Sequence, residues 1–401
     1  MCYEGLEAMA RQSVQALLQR TLEAEVTELL GRMPSQRRGV DAPAGYRNGH
    51  GKLRRFSTSF GTLEIRRPRV RALEERFESR ILPVFRRHTP EVGKLLPDLY
   101  LHGLSQGDFD LALRGLMGEG APLSGSSIAR LKAGWQAEHE AWRQRSLKEA
   151  EVVYLWVDGV YVKAGLEKEK AAVLVAVAGL RDGRKVVIAL ESGQRESTAS
   201  WAAMLRDLKA RGMNCPRLVV GDGHLGIWGA LSEVFPEAEE QRCWNHRMVN
   251  IQDRLPRKAQ PEAKAMLTKV VYAETRAEAE RRKAVFQAWC RRKGHLDAAA
   301  LIDKDWERMV AFYRFPKEHW KHLRTTNVIE SPFATVRLRT GPAKRFKKVE
   351  NATAVIWKVL LIAEKSFRRL NAPELLAEVA EGACYVDGIR VKGRKPQKEA
   401  A

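Results

Sequence analysis

The sequence predicts an α/β protein built on a mixed sheet, interrupted by an all-α insertion and preceded by a helical and small-β region. Three observations predict it. Between residues 151 and 254, short β-branched or apolar runs alternate with helical ones in the order βββαβαβ. From 255 to 323 the chain is helix-forming and heavily charged, with no strand-like run. Ahead of both, residues 1 to 150 read as a helix, a small hairpin and further helices.

Taken in order, residues 4 to 30 make one amphipathic helix, with Leu6, Met9, Val14, Leu17, Leu18, Leu22, Val26, Leu29 and Leu30 near a 3.6 period, so that 1–31 is an N-terminal helical element. Its apolar stripe packs on its own domain or, alternatively, on a second copy. Residues 32–89 form a basic small-β region. Gly45-Tyr46-Arg47-Asn48-Gly49-His50 precedes alternating residues from Phe56 to Arg66 that turn near Gly61. Residues 90–150 read as short helices over Leu95 to His102, Phe109 to Met117 and Ser124 to Glu140, the last opened by the capping cluster Leu123 to Ser127. With Arg130 and Lys132 on that last helix, the region is compatible with a helix-turn-helix as well as with a neutral scaffold.

The sheet region, 151–254, opens with strands over Val152 to Val157, Ala171 to Val177 and Lys185 to Leu190, the last two joined at Arg181-Asp182-Gly183-Arg184. Helix Thr198 to Arg211, strand Arg217 to Val220, helix Leu225 to Phe235 and strand Glu240 to Cys243 follow. Three strands and then αβαβ is the ribonuclease-H-like pattern, in which the first and fourth strands lie side by side. The helical insertion spans 255–323; 324–372 returns to the sheet domain with a basic helix, and 373–401 is a C-terminal tail.

Charge is the loudest compositional signal. Lys and Arg number 70 against 49 Asp and Glu, for a net +21 and a pI of about 9.9. The excess is clustered: eleven cations face two acids from Arg32 to Arg71, and ten face two from Arg337 to Arg369. Such clustering favours a nucleic-acid footprint over a diffuse solvated surface. The side chains expected on DNA are Arg47, Lys52, Arg54, Arg55, Arg66, Arg67 and Arg69, then Lys163, Arg337, Arg339, Lys344, Arg345, Lys347 and Lys348. Five cysteines without a framework predict reduced thiols. No apolar run is long enough to span a bilayer and residues 1 to 20 lack a signal-peptide core, so a cytoplasmic protein is expected.

Chemistry is expected where strands end. Asp158 and Asp222 each follow a strand, and neighbouring first and fourth strands bring them together although they lie far apart in sequence. Asp222 has an alternative role as a helix cap. Paired carboxylates repel, and a divalent ion resolves the conflict: Mg²⁺, with Mn²⁺ as substitute, takes oxygen ligands together with substrate phosphates. Glu330 is the expected third ligand. Asn327-x-x-Glu330 also resembles a capping box, whereas Ser331-Pro332 can itself serve as N-cap and first helical residue.

Tyr154-Leu-Trp-Val-Asp158-Gly-Val-Tyr-Val-Lys163, Val220-Gly-Asp222-Gly-His224-x-Gly226, Phe235-Pro236, Gln241-Arg242-Cys243-x-x-His246, Thr325-Thr-Asn-Val-Ile-Glu330 and Gly45-Tyr-Arg-Asn-Gly49 together resemble the bacterial Mutator-type insertion-sequence transposases over about residues 40 to 370. The resemblance implies an Asp-Asp-Glu triad of Asp158, Asp222 and Glu330 holding two Mg²⁺ ions. It implies DNA cleavage at the element's ends and strand transfer to a second DNA. The implied partners are the terminal inverted repeats and target DNA, with a homodimer or higher homo-oligomer as the working complex. Cys243 and His246 match the family's Cys-x-x-His signature. As a zinc site the pair lacks two further ligands, so a structural or site-supporting pair is expected. His224 and His246 are expected as phosphate or proton-handling neighbours. Two alternatives stand beside this reading: a ribonuclease-H-like nuclease without strand transfer, and an inactive DNA-binding regulator derived from a transposase.

Overall fold

The computed structural model describes residues 3–59, 61–83, 88–104, 125–164, 170–193, 197–223, 225–341 and 345–391. The chain divides into two compact units, Met1–Ala133 and Gly134–Ala401.

In the first unit, helix α1 (Tyr3–Leu30) is followed by β1 (Tyr46–His50), β2 (Arg54–Thr58), β3 (Gly61–Ile65), β4 (Pro68–Arg71) and α2 (Pro90–Leu101). β2 and β3 form the expected antiparallel hairpin, with Thr58 opposite Gly61, while β1 pairs antiparallel with β4. The core is small: Leu22, Phe56, Leu63, Ile65 and Leu82, with Val14 and Leu18 packed against it. The apolar stripe expected along all of α1 is buried only in its second half. Leu22, Val26 and Leu30 are fully buried, whereas Leu6, Met9 and Leu17 are more than half exposed. Length explains the difference, since a 28-residue helix extends about 42 Å and a five-residue strand about 17 Å. The hairpin therefore covers less than half of it. The helix expected over Phe109 to Met117 lies outside the described residues, and Lys132 sits with its ammonium 5.2 Å from the centre of the Tyr100 ring.

Helix α3 (Gly125–Arg143) leads into the second unit, whose sheet contains β5 (Val152–Val162), β6 (Ala171–Leu180), β7 (Lys185–Gly193), β8 (Leu218–Gly221) and β9 (Glu239–Arg242) in the order β7-β6-β5-β8-β9. β5, β6 and β7 pair antiparallel; β5 with β8 and β8 with β9 pair parallel. The protein is thus mixed α/β with a five-stranded mixed sheet, and the first and fourth strands are neighbours. β6 is buried at nine of its ten positions, as its uninterrupted Ala/Val/Leu run requires of a strand covered on both faces. One face carries helices α4 (Thr198–Ala210) and α5 (Leu225–Val234), whose Trp201, Leu205, Trp228 and Leu231 pack with Leu155, Val157 and Val219.

The chain then runs through α6 (Trp244–Gln252), α7 (Gln260–Val271), α8 (Arg276–Arg292) and α9 (Leu296–Leu301) before α10 (Asn327–Thr340), α11 (Val349–Glu364) and α12 (Glu374–Ala380). The aromatics Trp289, Trp306, Phe312, Tyr313 and Trp320 are all buried, so they are packing groups. Helix α10 packs on β5 and β6 and α11 on β7, covering the other face of the sheet. On that face the Tyr154 hydroxyl donates to His319 Nδ1 at 2.8 Å, and Trp156 Nε1 donates to the His322 carbonyl at 2.9 Å. Among the described residues no helix is long and apolar enough to cross a membrane.

Candidate active site

Strand alternation decides where Asp158 points. Residues 154, 156 and 158 share one face of β5, and Leu218 and Val220 share the matching face of β8, with Asp222 one residue past its end. The register pairs Tyr154 with Leu218 and Trp156 with Val220. Continued by two residues, it sets Asp158 and Asp222 at one level, on the side covered by α10. Strand β5 runs on to Val162 because β6 pairs with it along that length, Asp158 opposite Val175 and Val162 opposite Ala171.

Glu330 reaches the same side from the first turn of α10, where a helix N-terminus favours a carboxylate. The helix begins at Asn327, so Ser331-Pro332 is neither its cap nor its start and Pro332 lies inside it. Glu330 is not held in a capping box either. The N-cap residue Thr326 donates its backbone N–H to Cys243 Sγ at 3.3 Å, and its hydroxyl, shared between Cys243 Sγ at 3.1 Å and Glu330 Oε1, ties the two together. His246 Nδ1 stands 3.7 Å from Glu330 Oε1. Cys243, which follows β9, is fully buried, and its N–H donates to the Gly221 carbonyl at 2.7 Å, fastening the ends of β8 and β9 together.

The electrostatics register this convergence. Burial, the largest influence, raises Asp158 from 3.8 to about 7. The like charges of Asp222 and Glu330 push the same way, while the Gly159 N–H, 2.7 Å from Oδ1, and the His246 imidazole oppose them. His246 is raised to about 9, first by its hydrogen bond to Cys243 and further by the charges of Cys243, Glu330 and Asp222, against its own desolvation. At neutral pH the group is an imidazolium facing carboxylates.

Two donor sets overlap here. Cys243, His246 and Glu330 offer ligand atoms all within 4.8 Å of one another, and Asp158, Asp222 and Glu330 are coupled electrostatically. The compact set is soft and its sulfur already accepts from Thr326, a poor match to a hard ion. Three carboxylates, one of them raised to about 7 by burial and further by its like-charged neighbours, suit Mg²⁺ or Mn²⁺. Of the expected supporting residues, Cys243 and His246 sit at the site, and His224 lies outside the described residues.

The cations expected on DNA divide by exposure. Lys52, Arg55, Arg66 and Arg69 are exposed; Arg47 is half-buried and donates to Thr27 Oγ1 and the Arg32 carbonyl, and Arg67 donates to the Leu82 carbonyl. Arg54 is half-buried. In the second unit Lys163 and Arg337 line a cavity of about 520 Å³ with Tyr161, Lys170 and Phe346, while Arg345, Lys347 and Lys348 are exposed beside it. Arg339 departs from the expectation: it is 2% exposed, because its position on α10 turns inward with Val336. Lys344 lies outside the described residues.

Sequence reasoning missed Thr326, Arg242, Arg247 and Asp305. Thr326 was signalled by standing four residues before Glu330 at a helix start. The arginines flank the Cys-x-x-His signature, but Asp305, which accepts from both at 2.6 and 2.8 Å, carries no local signal. Gly223 belongs to this group. Its φ is +95°, and a Cβ there would lie 2.2 Å from Arg242 Nε, which the bond to Asp305 holds in place. Gly223→Ala is therefore expected to destabilise the protein by about 1–3 kcal/mol, read as a lowered urea midpoint, whereas an unchanged midpoint removes the constraint.

Similarity to known proteins agrees with this geometry. The family description "Transposase, Mutator family" matches residues 2–369. The transposase for insertion sequence element IS6120 of Mycolicibacterium smegmatis is 45% identical over 297 residues, 74% of this chain and 92% of that protein. That for element IST2 of Acidithiobacillus ferrooxidans is 39% identical over 280 residues, 69% of this chain and 94% of the relative. That for element ISRM5 of Rhizobium meliloti is 30% identical over 366 residues, 90% of this chain and 89% of its own length. With a family match from residue 2 to 369 and relatives alike over most of their own length, the chain belongs to the Mutator family of transposases.

Proposed function

We propose that this transposase cuts DNA at the ends of an insertion sequence and joins the freed ends to a second DNA, on a ribonuclease-H-like sheet carrying Asp158, Asp222 and Glu330. The observation that carries the reading is the electrostatic coupling of Asp158 to both Asp222 and Glu330, with the parallel register of β5 and β8 leading Asp222, one residue past the end of β8, towards the level of Asp158. Strand order β7-β6-β5-β8-β9 supports the fold assignment, since the first and fourth strands meet as that pattern requires.

Asp158, Asp222 and Glu330 would hold two Mg²⁺ ions, which when bound supply activation of the attacking oxygen and charge stabilisation of the leaving one. The chain's own residues do the rest. Thr326 fixes the Glu330 carboxylate by its hydroxyl, and Cys243 fixes Thr326 through both backbone and side chain. The His246 imidazolium offsets part of the negative charge gathered there. Water, and later a 3′-hydroxyl, is the nucleophile presented to the phosphodiester.

DNA is held by charge. The exposed Arg337, Lys347 and Lys348 adjoin the cavity between β5 and α10, and the Phe346 N–H, bonded to the Lys163 carbonyl at 2.9 Å, anchors that basic segment to the end of β5. Replacing Lys347 and Lys348 with Ala is expected to weaken binding evenly across sequences and to flatten the slope of log K against log salt by about 0.9 for each phosphate no longer neutralised. An unaltered slope places these lysines off the DNA.

The deciding experiment incubates the full chain with duplex DNA bearing the ends of its own element and Mg²⁺, using intact and pre-cut ends. Cutting of the first and joining of the second are expected. Cutting without joined product identifies a nuclease, and end binding without either reaction identifies a regulator.

A further inference from the structure

A cavity of about 360 Å³ opens one residue beyond Asp222, lined by Gly223, Arg242, Arg247, Asn250, Arg254 and Lys304. Two of its cations are deeply buried, Arg247 at 1% and Arg242 at 8% exposure. Both donate to one oxygen of Asp305, and Arg308 takes the other at 3.2 Å, so a single carboxylate serves three guanidinium groups. Glu240 further compensates Arg308. Arg247 also donates to the Lys304 carbonyl at 2.7 Å. The Nε atoms of Arg242 and Arg247 nevertheless have no hydrogen-bond partner. Burial, and next the neighbouring Arg242, depress Arg247 to about 10, as expected of a cation short of counter-charge. Arg254 and Lys304 are exposed at the cavity, and Asp253 is the acidic residue that lines it.

A pure bracing cluster would not look like this. Buried charges are normally matched, and a cavity lined by four cations and one carboxylate, two of the cations deeply buried and braced from behind, is what an arginine site for an oxyanion looks like before it is filled. Planar guanidinium groups suit phosphate, which can accept two parallel bonds from each. Gly223 lets the backbone beside Asp222 lie against Arg242, so the cavity and the carboxylates share one turn of chain.

We propose that this cavity is a phosphate subsite, holding a DNA backbone phosphodiester next to the bond positioned at Asp158 and Asp222. The assignment rests on the function proposed above. Arg242 and Arg247 form its fixed floor, and Arg254 and Lys304 close on the strand from the surface. A bound phosphodiester supplies the negative charge that four lining cations and the single Asp253 leave unmatched. It also sets the register of the strand against the carboxylates, a task that nonspecific surface charge cannot perform.

The test scans the cut strand with single methylphosphonate linkages, each removing one phosphate charge, and measures cleavage by the full chain in Mg²⁺. An Arg254→Ala, Lys304→Ala double variant is compared with the wild type; these side chains are exposed, and the variant's melting temperature is recorded to show that it is folded. In the wild type, neutralising one phosphate near the cut is expected to slow cleavage about tenfold or more, the scale of a charge-assisted bond. In the double variant that same linkage is expected to cost less than about twofold, with other positions unaltered. Equal losses in both proteins at every position overturn the subsite while leaving the transposase reading intact. Stabilisation of the DNA-free wild type but not the variant by inorganic phosphate, without coupling to any linkage, assigns the cavity to a free anion and also overturns the proposal. A wild type that cuts no end removes the parent reading, and the subsite falls with it.

Discussion

Asp222→Asn is expected to abolish both cutting and joining of element ends while end binding, measured without turnover, changes by less than about twofold. Asparagine keeps the shape and one acceptor oxygen but removes the charge that a divalent ion needs. Metal stabilisation of developing charge on phosphoryl oxygens is worth several kcal/mol, and about 1.36 kcal/mol is a decade in rate. A loss of about three orders of magnitude or more follows. Because Asp222 stands just beyond β8 and outside the described apolar cores, the fold is expected to survive, which a melting curve checks. A variant that retains a tenth of wild-type cleavage would remove Asp222 from the reaction. If binding fell with activity, the loss would instead report a damaged strand end.

Asp158→Asn is expected to stabilise the metal-free protein at neutral and alkaline pH and to erase its response to Mg²⁺. Burial and two like charges raise Asp158 from 3.8 to about 7. In the folded state this carboxyl keeps its proton where the unfolded chain has lost it. Between about pH 4 and 7 the native state therefore binds more protons, and the contribution of Asp158 to stability falls as pH rises through that window. The full displacement, at about 1.36 kcal/mol per pH unit, is on the order of 4 kcal/mol. Asparagine avoids that penalty, so wild type and variant should melt together below about pH 4 and diverge above it, the variant being the more stable. Mg²⁺ acts in the opposite sense: at 100 times its dissociation constant it adds about 2.7 kcal/mol to a protein that binds it only when folded. The wild type should gain and the variant should not. Parallel stability curves with equal metal responses would mean that Asp158 is neither strained nor a ligand.

How much of this could be read from the residues depends on the range of the interaction. The sheet was legible because each strand is a local pattern: Val152 to Val157 and Ala171 to Val177 are β-branched and apolar with no competing helical period. Strand order then followed from the sequence βββαβαβ, and with it the pairing of the strands that carry Asp158 and Asp222. What was not legible depends on neighbours distant in sequence. Helix α10 starts at Asn327 rather than at Ser331 because Thr326 is anchored to Cys243, 83 residues earlier. Arg339 reads as one more cation in a basic run, yet its position on the helix buries it. The role of Asp305 was invisible for the same reason, since its partners Arg242 and Arg247 lie 63 and 58 residues earlier, before the insertion begins.

The position of Glu330 also has a consequence in time. All five strands of the sheet, with Asp158 and Asp222 at their ends or within them, are complete by Arg242, but the helix bearing Glu330 is made only after the insertion has been synthesised. A nascent or prematurely terminated polypeptide that ends before that helix owns two of the three acids and also lacks the helices that cover the second face of the sheet. Nuclease competence, on the proposed reading, is thus withheld from unfinished translation products, which spares the genome of the cell that is making them.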